Sequence, residues 1–167
     1  SNSGACWVLK CDVRKFFDSI NQAILMDLIG KKVHNIDAHW LIEIIIKSFK
    51  KGLPLGNITS QLFANIYLNE LDQFTKHRLK ARYYIRYCDD FVIMDTNRQY
   101  LENIILSIDG FLKNILMLAL HPRKITIRKY RQGIDFLGYV SLADHKVLRN
   151  TTYKRMMRKI KERAHKY

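Results

Sequence analysis

Two adjacent carboxylates, Asp89 and Asp90, stand between two runs of β-prone residues and are the side chains best suited to chemistry. The runs at 83–87 and 91–94 predict a β-hairpin with the acids at its tip. A tight hairpin turn favours Asn-Gly or Asp-Gly because it needs positive φ, so turn geometry does not explain two neighbouring negative charges. Carboxylates at a strand end are hard oxygen ligands that suit Mg²⁺, which also binds waters and substrate phosphates. The pair alone leaves a solvated acidic turn as the alternative.

A third carboxylate, Asp12, stands near the end of another predicted strand, at 6–13. Bulky and polar positions alternate along this strand, which places Asp12 on the face opposite most of the bulky side chains. Between Asp12 and the acidic pair lies a segment punctuated by glycine and proline, 51–61, which predicts a loop leading into a helix. The fold must therefore bring two separate strands together before the three acids can share a cation.

The elements that must position these acids follow from periodicity and from capping residues. Helices are expected at 21–33, 38–50, 58–79 and 97–118. Asn21 and Asp37 are the expected N-caps of the first two helices, and the second helix carries a stripe of Leu41, Ile44, Ile45 and Ser48. Strands are expected at 6–13, 83–87, 91–94, 124–130, 135–140 and 145–149. This order predicts an α+β fold in which an antiparallel sheet is backed by helices.

The composition fits one folded domain with a basic surface. The chain has 167 residues, 48% of them hydrophobic, and a formal net charge of +14. Such a chain is long enough for a core and too hydrophobic to be disordered. Residues 121–167 hold 14 Lys and Arg against three Asp and Glu. A surface that follows nucleic-acid phosphates and an ordinary solvated face both account for this segment.

Cysteine and histidine usage argues against a disulfide framework and against a zinc site. The three cysteines form no Cys-x-x-Cys pair, and the six histidines show no paired metal-ligand spacing. No run approaches the roughly 20 apolar residues of a membrane span, and no signal peptide is visible. We therefore expect a cytoplasmic protein with no membrane partner.

Five segments resemble, in this order along the chain, the palm domain of reverse transcriptases. Asp12 matches the first catalytic aspartate of that family, and Tyr87-Cys88-Asp89-Asp90 matches its Tyr-x-Asp-Asp box. Segment 53–61 matches the loop and helix that contact template and nucleotide. Segment 120–124 matches the motif that follows the palm helix, and segment 136–139 matches the primer grip. The resemblance implies a palm over residues 1–150 and the start of a basic thumb or connection helix over 151–167. It also implies that the fingers are largely missing and the thumb is truncated, so this fragment alone is expected to polymerise poorly or not at all.

The amino-acid sequence of the loop and helix resembles that of one bacterial retroelement lineage in particular. The segments 53–61 and 63–72 are similar to enzymes of diversity-generating retroelements, which are related to group II intron and retron enzymes. Leu55 stands where many relatives have Gln, and a Leu side chain cannot hydrogen-bond beside the nascent base pair. The resemblance therefore implies looser base selection, in a bacterial cytoplasm.

RNA-directed DNA polymerase activity is the reaction that the resemblance implies, with dNTPs added to a primer 3′-hydroxyl on an RNA template. Two Mg²⁺ ions, which Mn²⁺ can replace, would be held by Asp12, Asp89, Asp90 and the backbone carbonyl of Val13. Asp18 is a competing acid, although we interpret it mainly as a helix N-terminal residue, where negative charge is favoured.

The incoming nucleotide is expected to contact the backbone amides of Lys15 and Phe16, the ring of Phe17, and Leu55 and Gly56. Phe17 occupies the steric-gate position of the family, where a bulky ring excludes a ribose 2′-hydroxyl; core packing beside Phe16 is the alternative. Lys124 is the expected general acid that protonates pyrophosphate, and the alternative is a surface lysine at a strand start.

Primer and template contacts are expected at Asn57, Ser60, Gln61, Asn65, Phe136, Leu137, Gly138, Tyr139, Arg155, Arg158 and Lys159. Asn57 and Ser60 also fit ordinary helix-start residues, and 136–139 also fits a bent core strand. The expected partners are an RNA template, a DNA primer, dNTPs, and a structured retroelement RNA or accessory protein. Two alternatives stay open: an RNA-binding, maturase-like or assembly module with little or no polymerase activity, and an RNA-directed RNA polymerase.

Overall fold

The computed structural model describes residues 6–164, which form helices and the strands of two antiparallel sheets. The strands are β1 (Trp7–Asp12), β2 (Tyr83–Tyr87), β3 (Asp90–Asp95), β4 (Thr126–Lys129), β5 (Ile134–Phe136), β6 (Tyr139–Ser141) and β7 (Lys146–Leu148). The α-helices are α1 (Phe16–Ser19), α2 (Gln22–Gly30), α3 (Ile36–Lys47), α4 (Ile58–Gln73), α5 (Arg98–Leu116) and α6 (Asn150–Ala164). This arrangement confirms the predicted α+β class.

The larger sheet has four strands in the order β2-β3-β1-β4, with β1 in its interior. β1 runs antiparallel to β3, and the register pairs Leu9 with Ile93 and Asp12 with Asp90. One face of this sheet is covered by the helices, and its side chains Leu9, Phe91 and Ile93 are fully buried. Burying each such side chain stabilises the fold by roughly 1.5–3 kcal/mol. Since side chains alternate along a strand, Asp12 lies on the other face, as predicted.

The smaller sheet, β5-β6-β7, packs against that other face through a second apolar cluster. Val8 of β1, Val92 of β3 and Ile134 of β5 are its buried members, and Phe136 packs beside them. The prediction of a single strand over 135–140 was wrong. Leu137 and Gly138 both adopt positive φ, 54° and 84°, and turn the chain between β5 and β6.

The helix starts depend on asparagine caps. The Asn21 side chain accepts hydrogen bonds from the backbone N–H groups of the first turn of α2, which confirms this predicted cap. The predicted cap Asp37 was wrong, because Asn35 caps α3 and accepts from the Ala38 N–H at 2.8 Å. Asp37 instead lies in the first helical turn, where its charge is favourable.

The buried side of α3 also differs from the predicted stripe. Leu41 and Ile44 are 52% and 47% exposed, whereas Ile46 is fully buried. Apolar residues occur around most of this helix, so their spacing alone did not determine which side faces the core.

The long helix predicted at 58–79 is α4 followed by a π-helical turn, Phe74–Arg78. The ring of Phe74 stacks on Phe111 of α5, with 4.2 Å between the ring centroids. The basic helix α6 has no buried residue. Within residues 6–164, no helix combines the length and the apolar character that crossing a membrane requires.

Candidate active site

The hairpin between β2 and β3 carries Asp89 in its turn and Asp90 at the start of β3. Asp12, at the end of β1, lies opposite Asp90 in the antiparallel register. The backbone N–H of Val13 donates to the carbonyl of Asp89 at 3.1 Å, which ties the end of β1 to the turn. The structure thus brings together the three carboxylates that the sequence singles out.

Two lysines neutralise part of this negative charge. The Lys124 ammonium donates to the Asp12 carboxylate at 2.8 Å, and the Lys10 ammonium lies 3.0 Å from Asp90 Oδ2. The hydrogen bond to Asp12 raises the pKa of Lys124, so this lysine stays protonated, as a proton donor must before it acts. Lys10 was missed by sequence reasoning, although its position two residues before Asp12 places both side chains on the same strand face.

Burial raises the pKa values of Asp89 and Asp90, and the neighbouring Asp12 raises both further. One carboxylate oxygen, Asp90 Oδ1, is buried with no hydrogen-bond partner among the described residues. An unpaired buried oxygen beside two other carboxylates is an environment that a divalent cation stabilises. The acids therefore fit the metal that the sequence predicts.

The three acids form only part of a coordination shell. Within residues 6–164, no group of three or more His, Cys, Asp or Glu side chains is arranged to hold a metal ion by itself. Mg²⁺ characteristically takes one or two carboxylates and completes its shell with waters and substrate phosphates. The donor set therefore suits a cation that arrives together with a nucleotide.

The raised pKa of Asp89 predicts that this carboxylate destabilises the fold at neutral pH. The folded protein keeps the Asp89 proton to a higher pH than the unfolded chain, so stability falls as the pH rises from the unfolded to the folded pKa. The variant Asp89→Asn should therefore melt at a higher temperature than the parent at pH 7.5. This advantage should shrink as the pH is lowered through the titration of Asp89. Thermal denaturation followed by circular dichroism across this pH range measures the difference in melting temperature between variant and parent. A lower melting temperature of Asp89→Asn at pH 7.5 would contradict the prediction.

The predicted nucleotide-binding residues follow directly after β1. Phe16 is buried, with its ring centroid 5.2 Å from that of the half-buried Phe17. The Phe17 carbonyl accepts a hydrogen bond from the backbone N–H of Leu53 at 2.9 Å. Gly52 packs so closely here that a Cβ atom would overlap the Phe17 carbonyl oxygen. The position of Phe17 is thus coupled to the loop before α4.

The end of that loop is open to solvent. Leu55 is 77% exposed, and a Cβ atom added at Gly56 would meet nothing within 4 Å. Asn57 caps α4 by accepting from the N–H and hydroxyl of Thr59, which fits its interpretation as a helix-start residue.

The predicted template residues on α4 differ in accessibility. Gln61 and Asn65 are exposed, and Asn65 accepts a hydrogen bond from Arg86 at 3.2 Å. Ser60 is fully buried in the first turn of α4, where it faces the core. This burial fits its alternative interpretation as a helix-start residue, and a template contact at Ser60 stays a prediction.

A cleft opens between the two sheets beside the acids. It is lined by Lys10, Asp12, Asp90, Lys124, Asp135 and Arg149, together with smaller side chains. Lys10 spans it, since its ammonium also donates to the Asp135 backbone carbonyl at 2.7 Å. Arg149 in turn pairs with the Asp135 carboxylate. These contacts join residues far apart in sequence, and no local motif pointed to Asp135 or Arg149.

The predicted primer-grip segment, 136–139, forms the turn and the strand ends of the small sheet. Tyr139 lines a shallow groove together with Arg155 and Lys159 of α6. Arg158 lies outside this groove and pairs with Glu162 at 3.6 Å. The structure therefore places two of the three predicted basic helix residues beside the hairpin and the third away from it.

Two curated proteins are similar to this chain over most of its length. Protein YkfC of Escherichia coli is 26% identical over 175 residues, covering 80% of this chain and 46% of YkfC. The group II intron-encoded protein LtrA of Lactococcus lactis is 27% identical over 233 residues, covering 96% of this chain and 38% of LtrA. The chain thus spans less than half the length of these relatives.

Solved structures with a similar fold include telomerases. Apo telomerase from Candida tropicalis superposes with a TM-score of 0.68 at 14% identity, covering 89% of this chain and 33% of the telomerase chain. Apo telomerase from the same organism, truncated from its C-terminal domain, superposes with a TM-score of 0.65 at 16% identity. This match covers 87% of this chain and 36% of the telomerase chain. At such identities the likeness shows a shared fold.

The family model described as "Reverse transcriptase (RNA-dependent DNA polymerase)" matches residues 1–141. This match covers most of the chain, and the relatedness to a group II intron-encoded protein agrees with the predicted lineage. The finer likeness to diversity-generating retroelements stays a prediction. The chain belongs to the reverse transcriptase family.

Proposed function

We propose that this chain is the palm of an RNA-directed DNA polymerase, which adds dNTPs to a primer 3′-hydroxyl on an RNA template. The observation that carries the proposal is the meeting of Asp12, Asp89 and Asp90 at paired strand ends beside an open cleft. Family membership supports the same reaction. We assign residues 1–150 to the palm and 151–167 to the start of a thumb or connection helix.

The protein's contribution to the reaction is to hold and orient charge. Asp12, Asp89, Asp90 and the Val13 carbonyl would bind two Mg²⁺ or Mn²⁺ ions. When bound, these ions would activate the attacking hydroxyl and stabilise the leaving pyrophosphate. Antiparallel pairing of β1 with β3 fixes Asp12 relative to Asp90, so little carboxylate motion is needed during the reaction.

Lys124 would donate a proton to the pyrophosphate. Its ammonium is held by Asp12, and about half of its side chain is exposed, so it can reach a leaving group in the cleft. The nucleotide would lie against the amides of Lys15 and Phe16, with Leu55 and Gly56 beside the base pair.

Nucleic acid would follow the exposed basic side of the molecule. Arg155 and Lys159 flank Tyr139 in one groove, which would place primer phosphates beside the 136–139 hairpin. Gln61 and Asn65 on α4 would face the template. Phosphate contacts of this kind make binding strongly dependent on salt.

A primer-extension assay tests the proposed function. A labelled DNA primer on an RNA template is incubated with the chain, dNTPs and Mg²⁺ or Mn²⁺, beside the double variant Asp89→Asn/Asp90→Asn, and both are repeated with a fingers segment restored. We expect extension by the parent once the fingers segment is present, and none by the variant. Extension by both would overturn the assignment of the acids.

An RNA-binding module is the second candidate function, because α6 exposes its basic side chains and buries none. RNA binding is measured by fluorescence anisotropy at 50 and 300 mM salt. Salt-sensitive RNA binding without extension by the parent would favour this module over a polymerase. Extension with rNTPs in place of dNTPs would instead identify an RNA-directed RNA polymerase.

Base selection at Leu55 gives a separate prediction. The exposed apolar side chain offers no hydrogen bond to a nascent base pair, so Leu55→Gln should lower misincorporation. We expect an error rate several-fold lower, the effect of about 1 kcal/mol in selectivity. Sequencing of extension products measures the error rate, with Leu62→Gln, at an exposed leucine on the neighbouring helix α4, as control. An unchanged error spectrum in Leu55→Gln would reject this role.

A further inference from the structure

The acidic turn has a strained conformation that its own sequence does not favour. Cys88 adopts φ of 54°, in the left-handed region that disfavours residues with a side chain. Such a residue needs surrounding contacts to hold its conformation. The Arg86 guanidinium supplies one, donating through Nη1 to the Cys88 carbonyl at 3.0 Å.

Arg86 is itself held by α4. Its Nε and Nη2 donate to the two carboxylate oxygens of Asp72 at 2.7 and 2.6 Å, which is a bidentate pair. The Tyr84 hydroxyl donates to the same carboxylate at 2.6 Å, and Asn65 accepts from Arg86 Nη1. Only 10% of the Arg86 side chain is exposed. The guanidinium therefore has one well-defined position.

The two carbonyls before Asp90 are anchored to different parts of the fold. The Cys88 carbonyl is held by Arg86, and through it by Asp72 of α4. The next carbonyl, that of Asp89, is held by the Val13 N–H at the end of β1. Because the Asp89 side chain lies between these two anchors, its position depends on both.

We propose that Arg86 and Asp72 form a turn clamp that sets the position of the Asp89 carboxylate relative to Asp12. Arg86 is a positioning residue, since it bonds the turn backbone and neither acid. The consequence for catalysis rests on the proposed polymerase function, whereas the consequence for cation binding does not. Lysine cannot replace arginine here, because one ammonium group cannot make the bidentate pair with Asp72 and the hydrogen bond to the Cys88 carbonyl at the same time.

The test compares Arg86→Lys with Tyr84→Phe. The Phe variant removes the Tyr84 hydroxyl from beside Asp72 and Arg86 but keeps the Arg86 bonds to Asp72 and to the Cys88 carbonyl, so it lowers stability without releasing the turn. For each protein we would measure the melting temperature, kcat and KM in primer extension, and Mn²⁺ affinity by electron paramagnetic resonance. Asp72→Asn is a second clamp variant, which keeps Arg86 but weakens its bidentate pairing with residue 72.

The clamp predicts a loss in kcat with little change in KM. For Arg86→Lys we expect kcat to fall about 100-fold, the effect of a 1 Å misplacement, together with weaker Mn²⁺ binding. Asp72→Asn should show a smaller loss of the same kind. Tyr84→Phe should change the melting temperature while kcat and Mn²⁺ affinity stay near parental values. If Arg86→Lys does not fold, kcat and Mn²⁺ affinity of Asp72→Asn, compared with those of Tyr84→Phe, test the clamp instead.

Failure of the clamp and failure of the polymerase assignment give different results. Parental kcat and Mn²⁺ affinity in both clamp variants would overturn the clamp, even where the melting temperature falls. Absence of extension by the parent would overturn the polymerase assignment, and Mn²⁺ affinity would then decide the clamp. Weaker Mn²⁺ binding in the clamp variants and parental binding in Tyr84→Phe would support it.

Discussion

Asp12→Asn is expected to lower the rate of nucleotide addition by about 1,000-fold while the chain stays folded, as losses of preorganised charge in active sites do. The amide has the shape of the carboxylate but not its charge, so it binds a divalent cation poorly. It also removes the negative charge that pairs with the Lys124 ammonium at 2.8 Å. Single-turnover primer extension measures the rate, and circular dichroism checks that the fold is retained.

Asp18→Asn is the matched control for this experiment. Asp18 is the competing acid, and it is exposed on the short helix α1 that follows β1. Its side chain makes none of the contacts that join Asp12 to the hairpin and to Lys124. We expect parental rates, and a loss at Asp18 equal to that at Asp12 would mean that the catalytic acids are misassigned.

Phe17→Ala is expected to admit ribonucleotides. The half-buried Phe17 ring would stand beside the sugar of the incoming nucleotide, where removing it makes room for a 2′-hydroxyl. We expect the ratio of kcat/KM for rNTP over dNTP to rise about 100-fold, equivalent to nearly 3 kcal/mol of selectivity. Steady-state incorporation of matched rNTP and dNTP pairs measures this ratio.

The variant Phe16→Ala is the control that distinguishes a steric-gate role of Phe17 from an effect of lost core packing. Phe16 is only 2% exposed, so its truncation should lower stability by about 3–5 kcal/mol. It should leave the sugar preference of the remaining active protein unchanged. If instead Phe17→Ala only lowers the melting temperature and keeps the parental sugar preference, Phe17 serves the core alone.

The sequence predicted the elements whose pattern is local and strong. The β-prone runs along 83–94 and the alternation along 6–13 predict the strands, and the alternation also gives the face on which Asp12 lies, because a strand has only two faces. Helix α3 was harder to predict. Asn35 and Asp37 are both good capping residues, and packing against the rest of the fold decides between them.

Contacts between distant segments could not be predicted in the same way. The Asp72 carboxylate meets Arg86 only because α4 packs beside the hairpin, and neither residue belongs to a spacing that marks an ion pair. The burial of Ser60 has the same origin, since the helix pattern near its start fits more than one orientation. Lys10 is different, because its strand position relative to Asp12 already placed it on the acidic face.

The two glycines of the loop before α4 should differ sharply in mutational tolerance. Both have positive φ, 55° at Gly52 and 87° at Gly56. At Gly52, any Cβ would also lie 2.9 Å from the backbone carbons of Asp18, and backbone cannot move aside as a flexible side chain can. At Gly56 the space is open, so Asn, which tolerates left-handed backbone, should be accepted. In a saturation library selected for folding, position 52 should return glycine alone, whereas position 56 should return several small polar residues.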